Sequence, residues 1–159
     1  MFNKLMALLS GELQAEGLET GPFKRRHIAV AALLLEVMYI DHRASEHEQA
    51  AIGRLLREHF SLPDEAVREL LRVADERYAE ALDDWEFAEA VRAGFNAAER
   101  REVLTMLWEV VYADGDLARL EDRLVARLAQ QLDLDSDAVD AARATAVARA
   151  GLIDDGPDA

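Results

Sequence analysis

Two ten-residue stretches, YIDHRASEHE from Tyr39 and YADGDLARLE from Tyr112, carry the residues best suited to chemistry in this chain. Each opens on Tyr, places Asp two residues on, ends on Glu and follows a Glu three residues upstream. Glu36, Tyr39, Asp41 and Glu48 thus match Glu109, Tyr112, Asp114 and Glu121, each pair 73 residues apart (114 − 41 = 73). Carboxylates at helix ends, joined by free backbone carbonyls, make a hard-oxygen environment suited to Ca²⁺ or Mg²⁺. Asp41 and Asp114 stand where long helices should end, against the negative pole of the macrodipole, an arrangement costing roughly 0.3–1 kcal/mol that a cation would reverse. Asp116 adds an acid to the second turn, and Gly115 allows a positive φ there. The expected ligand set is therefore Glu36, Asp41, Glu48, Glu109, Asp114, Asp116 and Glu121, with Ca²⁺ favoured over Mg²⁺.

Each of these residues also has a plainer reading. Glu36 and Glu109 interrupt apolar helices, where an unpaired carboxylate costs several kcal/mol or is forced neutral. An arginine, lysine, tyrosine hydroxyl or backbone donor in the core would satisfy them equally well. Glu48 fits a capping box with Ser45, but Glu121 does not, because Ala118 stands at the matching position. An Asp-Gly turn with solvated acids would account for Asp114 and Asp116. The Gly115–Glu121 interval is that of an EF-hand loop, yet Val110 and Tyr112 fall at its first and third positions, so an EF-hand is rejected. His42 and His47 have Gly115 and Leu120 as counterparts and read as surface residues. Glu-x-x-His, His-Glu-x-x-His, P-loop and G-x-S-x-G patterns are all absent.

The elements that must position these acids are helices. Phe23–Ile40 has Glu36 as its sole charge from Ile28 onward, which places that helix mid-bundle. A second helix runs from Ser45 to about His59. SLPD, with Ser61 as cap, opens a third reaching about Leu82. Asp83 with Glu86 and Asn96 with Glu99 open the next two, and Leu117–Leu132 and Ser136–Arg149 follow. With an amphipathic helix over Met1–Gln14, expected to dock on the body, this gives an all-α bundle of about eight helices. Repeat one is expected over about 28–95 and repeat two over about 98–149, within a helical domain spanning 23–149. Residues 1–22 form a short helix and loop, and 150–159 a frayed tail. Trp85, Trp108 and the phenylalanines read as core.

Composition narrows function by exclusion. The 159 residues form one domain by length and carry no cysteine, which removes thiol catalysis, thiolate metal sites and disulfides. A formal charge of −14 argues against nucleic acid or anionic lipid as main partner and favours cations or basic partners. No stretch reaches the roughly 20 apolar residues of a spanning helix.

LLLEVMYIDHRASEHE and LWEVVYADGDLARLE resemble the TerB-like family, named for a tellurite-resistance protein, over roughly Ile28–Val147. The second copy is closer to the family form; the first has His42 in place of Gly. The resemblance implies an all-α fold of two pseudo-symmetric halves, a cytoplasmic bacterial location, acidic clusters for divalent cations and no catalytic activity. It further implies roles in stress responses and tellurite resistance, with a protein partner in membrane-associated complexes and thus a membrane-peripheral site of action. Without cysteine, any part in resistance would be indirect. Two other functions compete: a metal-independent acidic interaction scaffold, and a hydrolase using a cation among Glu109, Asp114 and Glu121 to activate water.

Overall fold

A computed structural model describes residues 23–40, 46–113 and 120–151. These residues fold into seven helices: α1 (Arg25–Tyr39), α2 (Glu46–Phe60), α3 (Asp64–Glu80), α4 (Trp85–Gly94), α5 (Ala97–Val111), α6 (Leu120–Gln131) and α7 (Ser136–Arg149). The expected helix over Met1–Gln14 and the tail beyond Gly151 lie outside the described residues.

Two helices form the centre. Ten of the fifteen residues of α1 are buried, and nine consecutive residues of α5, Val103–Val111, are buried as well. Such all-round burial follows from apolar sequence on every face and requires neighbours on every side. Helix α1 packs on α3, α4 and α5, and α5 packs on α7. Three further contacts cross between the first four helices and the last three: α2 reaches α5, and α6 reaches both α1 and α4. Those crossings bring the charges of each half to the other. Where α4 closes on α1, Gly94 leaves room that a side chain would take, since a Cβ there would stand 2.7 Å from Arg26 Cβ.

Several helix ends follow their sequence signals. Asn96 and Glu99 form the full capping box of α5, and Asp135 caps α7 through the Ala138 amide. Ser61 does not cap α3. It adopts a left-handed φ of 52° after α2, and the Leu62 amide donates back to the Arg57 carbonyl, closing that helix instead. The same device ends α6, where Asp133 takes φ 61° and the Leu134 amide donates to Ala129. The expected box of Asp83 with Glu86 is also replaced: Asp83 accepts from the Trp85 amide, and Asp84 occupies the cap position without using its side chain for capping.

The α3–α4 connection departs most from expectation. Helix α3 stops at Glu80, and Ala81 turns extended at ψ 141°. Leu82 is thereby fully exposed and Trp85 is 46% exposed, so Trp85 is not a core residue, whereas Trp108 is. Among the described residues no helix is long and apolar enough to cross a membrane.

Candidate functional site

Glu36 lies on the last turn of α1, mostly buried, and faces α6 and the start of α4. Beside it Asp84 is 5% exposed, held by Arg127 of α6 through Nη2 at 2.7 Å and Nη1 at 3.4 Å. The same Nη2 is 3.6 Å from Glu36 Oε2. Two mostly buried carboxylates thus share one guanidinium, whose own side chain is half-exposed. Burial pushes the Glu36 carboxyl up to about 8, reinforced by its hydrogen bond to Asp84 and that group's negative charge and opposed by Arg127. Glu36 Oε1 is buried and has no hydrogen-bond partner among the described residues. Nearby, burial followed by the charges of Glu36 and Asp84 raises the Tyr78 hydroxyl.

Glu109, the matching residue of α5, is also 5% exposed but meets two cations. Arg149 Nη1 at the end of α7 is 3.2 Å from Oε2, and Arg54 Nη2 of α2 is 3.9 Å from Oε1. Arg149 also donates to Glu102 at 2.8 Å, the chief cause of its upward shift, with the bond to Glu109 adding to it. The two core glutamates are therefore paired crosswise: Glu36 with an arginine of α6, Glu109 with one of α2. Arg54 and Arg127 are themselves 73 residues apart.

The tyrosines one turn on from these glutamates diverge as well. Tyr39 donates its hydroxyl to Asp75 at 2.9 Å, and burial together with that bond pushes it up to about 12. Tyr112 is buried, and its hydroxyl accepts from Arg143 Nε at 2.6 Å. Arg143 also lies over the Trp108 ring, 5.2 Å from its centroid. Neither hydroxyl bonds the glutamate of its own motif among the described contacts.

Of the remaining expected ligands, Glu48 is 2% exposed in the first turn of α2. Asp41, Asp114 and Asp116, the side chain of Glu121 and the capping Ser45 lie outside the described residues. Among the described residues, no three His, Asp or Glu side chains converge as a metal site. Glu109 fits the plainer reading of a core carboxylate satisfied by arginine, because a divalent cation there would have to displace two guanidiniums. Asp84, Arg54, Arg127 and Arg149 are the site residues that sequence reasoning missed.

The arrangement agrees with the match to known families. Residues 27–144 match the model of TerB, tellurite resistance protein TerB. The chain belongs to the TerB family. No curated protein and no solved structure matches it. The all-helical bundle is the fold expected of a TerB domain, and the matched span runs from the first turn of α1 into α7.

Proposed function

We propose that this TerB domain is a non-catalytic bacterial binding module that holds a divalent cation, Ca²⁺ before Mg²⁺, in the acidic turns after α1 and α5. One observation carries the reading: neither α1 nor α5 has a basic residue in its last turn. Their negative poles lack the cationic side chain that commonly offsets them, and the acids Asp41, Asp114 and Asp116 follow directly in sequence. The core glutamates are already neutralised, Glu109 by arginines and Glu36 by a proton. The ion is therefore assigned to the turn acids together with Glu48 and Glu121. In the cell such a module would serve a cytoplasmic stress-response assembly of the tellurite-resistance kind, peripheral to a membrane. With no thiol of its own, it would act there indirectly.

Calorimetry with CaCl₂ tests this. Wild type should give saturable heat and a higher melting temperature, because an ion that binds only the folded chain stabilises it. Asp114→Ala/Glu121→Ala should lose both, and Glu109→Gln should keep the heat. Absence of heat in wild type removes the cation from the account.

A second reading, a metal-independent scaffold, draws on the α3–α4 corner. Leu82 and Trp85 stand exposed among Glu80, Asp83 and Glu86, which suits a partner with an apolar anchor flanked by basic residues. Partner binding that weakens with salt but ignores chelator would favour it.

A further inference from the structure

On a chain with formal charge −14, one cleft gathers three arginines. It has a volume of about 540 Å³ and opens between α2 and the C-terminal ends of α5 and α7. Its wall carries Arg54, Arg57, Arg149 and His47, with Glu109 as the one acid lining it among the described residues. Small side chains, Ala50, Ala51, Ala113 and Ala150, leave the floor open. Among the described lining residues three guanidiniums face one carboxylate, and the acids paired to them on the outer rim offset that excess until an anion displaces them.

The guanidiniums do have acids on the outer rim: Arg54 meets Glu58, Arg57 meets Asp64 and Arg149 meets Glu102. The Glu58 and Asp64 side chains are 57% and 68% exposed. Exposed pairs of that kind contribute about 0–1 kcal/mol, so an entering anion can take their place. Arg54 is too far from Glu109, at 3.9 Å, to spend a hydrogen bond there. Its donors, like those of Arg57, can turn toward the cleft. The net charge of the molecule does not forbid this, since charges beyond about 8 Å are largely screened at physiological salt.

The geometry points to an oxyanion site in this cleft, its ligand a phosphate group, free or as the phosphomonoester of a small molecule. Arginine forks pair bidentately with phosphate oxygens, and a monoester carries about −1.5 to −2 at neutral pH.

Titration of inorganic phosphate into the full chain at constant ionic strength, followed by the arginine Nε–H NMR signals and by calorimetry, tests the site. Saturable shifts of the Arg54, Arg57 and Arg149 signals are expected at millimolar phosphate. Arg57→Gln, which leaves Glu109 and its partners in place, should weaken binding about tenfold, and Asp64→Asn, which frees Arg57, should strengthen it severalfold. A parallel titration with adenosine monophosphate separates the sources: tighter binding than phosphate marks an organic phosphomonoester, equal or weaker binding marks free phosphate. No saturable shift, or the same affinity in wild type and Arg57→Gln with the fold intact by circular dichroism, overturns the proposal.

Discussion

Glu36 and Glu109 occupy matching places on the two central helices, and the bundle neutralises them in different ways. Around Glu109 it gathers two guanidiniums, both borne on half-exposed side chains. Around Glu36, among the described residues, it places a second carboxylate and one guanidinium, so that one acid keeps its proton. Either solution avoids an isolated buried charge, the one arrangement an apolar helix cannot tolerate. The lesson is that a repeated acid need not repeat its role. Among the described residues, Glu36 and Asp84 depend on a single arginine, whereas Glu109 has two beside it.

The largest effect that would break this comparison is the loss of Arg127. Arg127→Ala strands Asp84, 5% exposed, without its cation and should cost about 3 kcal/mol. Its 51% exposed side chain places the expected cost at the lower end of the range for buried pairs. In the second half, Arg54→Ala and Arg149→Ala should each cost about 1 kcal/mol or less, because either cation can serve Glu109 alone. Their double variant should approach 3 kcal/mol, more than the sum. Urea melts of the four proteins at pH 7 measure this, and additive costs for Arg54 and Arg149 would mean that neither substitutes for the other.

A smaller effect belongs to pH. The Glu36 carboxyl titrates near 8 in the folded chain, against 4.5 for an ordinary glutamate. Between those values the unfolded chain has released a proton that the folded chain retains, so stability from this group is complete below pH 4.5 and declines as pH rises to about 8. Allowing for solvent screening and for the coupling to Asp84, the loss should be about 1–3 kcal/mol. Glu36→Gln should remove that slope and be more stable than wild type at pH 8, as comparison of urea melts at pH 5 and pH 8 will show. The smallest change concerns the exposed corner: Trp85→Ser should alter stability by less than about 0.5 kcal/mol. Reduced binding of a basic partner without a change in melting would assign Trp85 to recognition.

The bundle was legible because apolar runs at helical spacing and capping residues such as Asn96 with Glu99 report directly on local structure. The acids of α1 and α5 were legible as unusual, for the same reason. Their partners were harder to see, since Arg54 and Arg127 sit on amphipathic helices where arginine ordinarily faces water. A signal did exist: the arginines share the 73-residue interval of the glutamates, and each stands 18 residues after the Glu of its own half. Asp84 had no such signal. Its neighbour Asp83 takes the local backbone hydrogen bond, and only the approach of α6 directs the Asp84 carboxylate inward. Ser61 and Trp85 misled because capping and hydrophobicity rules describe preferences, which the chain's exit from α2 and the extended Ala81 overrode.

The most direct test is a carboxyl ¹³C NMR titration of Glu36 in the folded protein, from pH 5 to pH 10. A proton shared with Asp84 predicts a midpoint near 8 that falls only part of the way in Asp84→Asn, where the second negative charge is gone but burial, the largest cause, remains. A wild-type midpoint near 4.5 would mean that Arg127 holds two full carboxylates, and the contrast between the two central glutamates would then collapse.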